Sequence, residues 1–263
     1  MTDQNQTEQN VPTTSQPISA AVPAGTTVKD FLIPLSIIIA GIFVGAGLYF
    51  GGGGTQNLAQ PVTDPTDAVA EVEEVDTTNK VSPVDENDHI KGDRDAAIVI
   101  VEYSDFDCPF CSRYHDVMNE IVAENNDVAW VYRHFPLEQL HPQAAAVALA
   151  SECVAKVAGP TGFWSFTDGY FAARGAGDQT AHATLIGDLV REAGAAGAVY
   201  DECFNNQEKA EDIEADLNNA VETGGRGTPW SIIIGPSGKT YPVNGALPKT
   251  AVEQLIEVAR NEG

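Results

Sequence analysis

The chain has 263 residues, 43% of them hydrophobic, and sets 14 Lys and Arg against 38 Asp and Glu for a formal net charge of −24. That length and apolar content suit one good-sized domain with accessory segments, and the acidity excludes nucleic-acid binding through a basic surface and attraction to anionic lipid. Four cysteines are too few for a disulfide-built miniature fold, and the single C-x-x-C leaves a paired zinc knuckle without its second half.

Residues 1–30 are rich in Gln, Asn, Thr, Ser and Pro and read as a disordered tail, because they carry too little apolar surface to bury. Residues 31–50 form a run of twenty without a charge, about the length a helix needs to cross a bilayer. A cleaved signal peptide is the rival reading. The long apolar run and the tail before it favour an uncleaved transmembrane anchor. Lys29 precedes the span, while Asp64, Asp67, Glu71, Glu73, Glu74 and Asp76 follow it with no Lys or Arg among them, which pushes the N-terminus inside and the rest of the chain outside. Residues 51–88, with a Gly tetrad, Thr, Pro and acids, read as a flexible acidic linker.

From residue 89 the pattern turns globular. The apolar β-branched run 97–101 reads as a buried strand, and 112–125 reads as an amphipathic helix. Between them stands Cys108-Pro109-Phe110-Cys111. A sulfur where a strand gives way to a helix lies near unpaired N–H groups and the positive end of the helix dipole, and both favour a thiolate. Cys111, one turn further on, is placed to close a ring with Cys108 or to resolve a mixed disulfide formed there. A strand at 128–135 completes a β-α-β unit with parallel strands. Helical periods follow at 143–158, 163–173, 181–193 and 198–222; the chain closes with a hairpin over 231–243 and an amphipathic helix at 249–261.

The segment Glu102-Tyr103-Ser104-Asp105-Phe106-Asp107-Cys108-Pro109-Phe110-Cys111, with an acid six places before the first cysteine, resembles the active-site segment of the DsbA-like branch of the thioredoxin superfamily. Gly227-Thr228-Pro229, followed by Ser231-Ile232-Ile233-Ile234, is similar to that family's cis-proline loop and next strand. The resemblance covers about 89–263 and implies an α/β thioredoxin-like fold with a helical insertion at about 141–222, beside the N-terminal transmembrane helix read above. It implies that Cys108 is the exposed attacking sulfur and Cys111 the buried one. It also implies that Glu102 relays a proton, and that Pro109, Phe110, Thr228, Pro229 and Trp230 tune the pair or dock substrate. Read from the residues alone, Glu102 could face solvent, Pro229 could simply begin a strand, and the cysteine pair could be half a metal site or a structural bridge.

The function implied is extracytoplasmic thiol-disulfide exchange, at the periplasm or cell surface, that introduces disulfides. The partners would be thiol-containing substrate proteins and a membrane redox partner, with no cofactor and no metal. A reductase or isomerase using the same pair stays open, as do a non-catalytic binding module and a holdase built on the helical layer. Phe110 offers the Cys108 sulfur neither a hydrogen bond nor a charge, which argues against the strongest oxidant. Outside the cytoplasm, Cys153 and Cys203 are expected to form a structural disulfide, with two buried free thiols as the alternative. His89, His115, His134, His141 and His182 show no metal-ligand spacing and read as surface or capping residues. Phe163, Trp164, Phe166, Tyr170 and Phe171 read as core.

Overall fold

The computed structural model describes residues 80–262. Its centre is β2, Ile98–Ser104, in which every residue but Val99 is buried, and beside it β3, Val128–His134, in which all are. Strands apolar on both faces must be covered on both faces, and this sheet is. On one side Ile98, Ile100, Trp130 and Tyr132 pack with Met118 and Ile121 of α1, Pro109–Glu124, and with Val252, Ile256 and Ala259 of the last helix. On the other, Val101, Tyr103, Val131 and Ile232 meet Ala220 and Leu217.

The strand order is β1-β3-β2-β4-β5. The pair β2 and β3, joined through α1, is parallel, as the β-α-β reading expects, and the remaining pairs are antiparallel. β1, His89–Lys91, lies along β3; its three residues are too few to show an alternation in sequence. β4, Trp230–Ile234, and β5, Thr240–Asn244, form the expected hairpin, with Pro242 of the edge strand opposite Ile232.

Between β3 and β4 lies the helical insertion: α2 (Ala144–Gly175), α3 (His182–Glu192), α4 (Ala198–Asn205) and α5 (Ala210–Glu222). α2 has two arms that meet at Gly159, whose φ of 67° leaves the helical range just before Pro160, so the two helical periods read at 143–158 and 163–173 are both present. The single period read over 198–222 is in fact two helices. The chain turns at Gln207 with φ 53°, and the N–H groups of Gln207 and Glu208 close the end of α4 on the carbonyls of Phe204 and Cys203. No Gly or Pro announces that break. Cys153 of α2 and Cys203 of α4 are joined by a disulfide. α6, Lys249–Asn261, closes the chain over the bounds its periodicity predicts.

Residues 80–88 pack on the domain although their composition is that of the linker before them. The guanidinium of Arg133, its side chain only 4% exposed, donates to Asp88 at 2.9 and 3.0 Å and to the carbonyls of Ser82 and Pro83 at 3.1 and 3.2 Å. Asn219 of α5 accepts from the Ser82 N–H at 3.0 Å and donates to the Lys80 carbonyl at 2.7 Å. A buried cation is stable only when its donors are met, and this segment meets them. Among the described residues no helix is long and apolar enough to cross a membrane. The predicted tail (1–30), the predicted anchor (31–50) and the linker up to residue 79 lie outside the described residues.

Candidate active site

Cys108 is the N-cap of α1, with Pro109 at the first helical position, where a fixed φ suits the helix and a missing N–H leaves nothing unpaired. The turn that delivers it is closed by the Cys108 N–H on the Asp105 carbonyl at 3.1 Å. The Cys108 sulfur lies 3.4 Å from the Thr228 carbonyl, and the Thr228-Pro229 peptide is cis. Cys111 is fully buried, and its sulfur accepts the Asp105 N–H at 3.5 Å. Both cysteines are free thiols and both are buried; Cys108, at 5% exposure, is not the exposed sulfur the resemblance implies.

Their proton affinities diverge. Cys108 is drawn down to about 5, chiefly because the Cys111 thiol donates to its sulfur; burial opposes this, and Thr228 and the backbone N–H groups of Cys111 and Phe110 add to it. Cys111 is pushed well above the ordinary thiol range, first by burial and then by its bond to Cys108 and the charges of Cys108 and Glu102. At neutral pH one sulfur is therefore a thiolate and the other a thiol.

Glu102 stands on β2 opposite Ser231 of β4 and Tyr132 of β3, and it is 1% exposed. Neither carboxylate oxygen has a well-formed hydrogen bond. Burial pushes its pKa up to about 8, against the smaller pull of Ser104 and Trp130 and with a small addition from the charge of Cys108. The carboxyl is thus protonated at neutral pH, coupled to both sulfurs, and able to give up or take a proton as their charge changes.

Residues 84–250 match the family described as Thioredoxin. The chain belongs to the thioredoxin family. Among solved structures this thioredoxin-family chain is similar to Pseudomonas aeruginosa DsbA2, with 26% identity, a TM-score of 0.56, and coverage of 68% of this chain and 98% of that one. It also shares the fold of a periplasmic thioredoxin-like protein from Salmonella enterica serovar Typhimurium, with 21% identity, a TM-score of 0.56, and coverage of 66% and 91%. A further relative is the Na(+)/H(+) antiporter NhaA 1 of Mycolicibacterium gilvum, 45% identical over 91 residues, which are 34% of this chain and 14% of the antiporter. The chain therefore spans a small part of the length of the curated antiporters it matches.

In this thioredoxin-family site Cys108, Cys111, Glu102, Thr228 and Pro229 come together. Pro109 lines the cleft beside Cys108, and Phe110 is 54% exposed, with the Arg113 guanidinium 4.7 Å over its ring. Trp230 does not line the groove. Strand alternation turns its indole to the α5 face, where it packs with Tyr103 and Val131 and donates to Thr223 Oγ1 at 3.0 Å. The five aromatics of α2 are buried in the core.

Sequence reasoning missed two acid-imidazole pairs that hold the active-site loop. Asp105 accepts the Leu137 N–H and pairs with His141 Nδ1 at 2.9 Å, while Asp107 takes the Tyr170 hydroxyl at 2.7 Å and pairs with His182 Nε2 at 3.0 Å. The three other histidines are not surface or capping residues, as their scatter in sequence suggested: His89, His115 and His134 are buried. Each is paired with a carboxylate from distant α2: His115 with Asp168, and both His89 and His134 with Glu152.

Proposed function

We propose that the chain is a membrane-anchored, extracytoplasmic thiol-disulfide oxidoreductase that passes a Cys108-Cys111 disulfide to thiol-containing substrate proteins. The observation that carries this is the split between the sulfurs, with Cys108 drawn down to about 5 and Cys111 pushed up. A substrate thiolate attacks Cys108 of the disulfide; the Cys108-Cys111 bond breaks, Cys111 leaves with the electron pair, and Glu102 supplies the proton it takes up. A second substrate thiolate then attacks the substrate sulfur of the mixed disulfide and expels Cys108 as a thiolate. The products are an oxidised substrate and a dithiol enzyme, and a membrane redox partner accepts the two electrons. The Thr228-Pro229 loop docks the substrate segment, with Pro109 and Phe110 next to Cys108.

The direction follows from the leaving group. A sulfur stable as a thiolate leaves readily and makes its disulfide oxidising, which favours oxidase over reductase. The uncharged run 31–50 supports an anchor, and the acids after it support an outside domain; similarity to a periplasmic protein supports the same side. The test is equilibration of the chain with glutathione buffers alongside oxidation of a reduced model substrate. A potential above about −200 mV with turnover that Cys108→Ala abolishes supports the oxidase or isomerase; a potential near −270 mV makes the protein a reductant. Substrate capture that survives Cys108→Ala without any exchange makes it a binding module. Protease digestion of the domain in spheroplasts whose cytoplasmic proteins stay protected, with the full-length chain retained in the membrane fraction, tests the anchor and its orientation.

A further inference from the structure

We propose that His89, His134 and Glu152 form a binding site for a divalent transition-metal cation, Zn²⁺ or a close relative, separate from the cysteine pair. The three come from three elements: β1, β3 and α2. His89 pairs with Tyr132 across the strands, so His134, two residues on, points to the same face of the sheet. On that face the Nε2 atoms of both imidazoles converge on a single oxygen, Glu152 Oε1, at 2.6 and 2.9 Å. One ligand atom from each residue lies within 4.8 Å of the others. In a tetrahedral site with metal-nitrogen bonds of about 2.0 Å the ligand atoms stand roughly 3.3 Å apart, so small side-chain movements suffice.

The donor set selects the cation. Two imidazoles and one carboxylate match the His₂Glu set that leaves a fourth position of Zn²⁺ open, whereas Ca²⁺ and Mg²⁺ prefer oxygen alone. The His89 ring is held by stacking on Phe163, with centroids 3.4 Å apart and planes within 7°. The site is buried but reachable: His134 is 1% exposed, while His89 and Glu152, at 9% and 8%, form part of the walls of two clefts of about 220 and 230 Å³. Asp88, Asp212 and Asp216 line the first cleft, and its cations are engaged, Arg133 with Asp88 and Lys209 with Asp212. A cation entering there meets an acidic approach and the Glu152 carboxylate that both imidazoles face. Bound metal would take the Nε2 lone pairs, with the ring protons on Nδ1, and replace the two hydrogen bonds to Glu152. It would tie the short edge strand β1 to β3 and to the insertion.

The experiment uses the untagged full-length chain with Cys108 and Cys111 oxidised, so that neither thiol can ligate, and titrates in Zn²⁺ by calorimetry and Co²⁺ by visible absorbance. One saturable equivalent with micromolar or tighter affinity, and a tetrahedral Co²⁺ spectrum lacking a thiolate charge-transfer band, supports the site. His89→Gln and Glu152→Gln should each weaken Zn²⁺ binding by at least tenfold, since even outer partners of a metal ligand cost that much. His89 stands at an edge strand, so His89→Gln carries the test if Glu152→Gln fails to fold, as circular dichroism reports. Absence of saturable binding, or binding undiminished in the folded variants, overturns the proposal and leaves a hydrogen-bonded His-Glu-His cluster.

Discussion

Replacing Glu102 by Gln should stabilise the oxidised protein, and by an amount that grows with pH. The carboxyl titrates near 4.5 when exposed and near 8 in the fold, with burial as the leading cause. Its folded pKa is raised, so between those two values the native state holds a proton that the unfolded chain has released, and stability falls as pH rises. The slope is about 1.36 kcal/mol per pH unit, which brings the cost to about 3 kcal/mol at pH 7 and lets it grow until pH passes about 8. Glu102→Gln removes the titration while keeping the shape. Urea unfolding of oxidised wild type and variant should then give nearly equal stabilities at pH 4.5, with the variant ahead by about 3 kcal/mol at pH 7. The oxidised state is the one to use, because Cys108 and Cys111 do not titrate there. A difference that stays flat from pH 4.5 to 8, or a variant less stable than wild type at pH 7, would refute the assignment of Glu102 as a buried, protonated acid.

Thiolate absorbance of the reduced protein should titrate near pH 5, and Cys111→Ala should raise that midpoint by more than one pH unit, since the Cys111 thiol is the largest cause of the depression. Cys111→Ser, which keeps a donor, should raise it less. Because the Cys108 pKa is lowered on folding, the reduced form gains stability above the ordinary thiol range and loses it as pH falls through about 5; the advantage of reduced over oxidised protein in thermal unfolding should shrink along that path. The pair Cys153→Ala and Cys203→Ala opens a loop spanning 50 residues of separation and should cost about 4 kcal/mol from chain entropy, read by urea denaturation. Arg133→Met should release residues 80–88, seen as loss of amide-exchange protection at Ser82, and should destabilise the domain by about 3 kcal/mol by stranding Asp88.

Where the chemistry is local, it was legible. The apolar run of β2, the cysteine pair and the helix after it are contiguous, so sequence order alone puts Cys108 at a helix start; the helix 249–261 shows its period without help from any neighbour. The parts that were not legible are those in which a residue's partner lies far along the chain. β1 is a strand only because β3 is beside it. His89 and His134 are buried because Glu152 reaches both, and none of the three signals the others in sequence. Trp230 follows Pro229 directly, yet one step of strand alternation carries its ring to the α5 face of the sheet. Gln207 breaks a helical period with a backbone conformation that its residue type does not advertise.

Among the described residues the sheet ends on one side in a strand of three residues and on the other in a strand with a proline at its middle position. An exposed edge offers a row of unmet N–H and carbonyl groups to any extended chain that passes. A protein that handles unfolded, cysteine-bearing segments would meet such chains continually. Among the described residues the first of these strands is too short to template a ladder, and Pro242 of the second has no N–H to give. If the domain works on such segments as proposed, the Thr228 carbonyl beside the Cys108 sulfur is the place where their main chain would engage. On that reading the domain would hold a client for one exchange and release it, instead of growing a sheet with it.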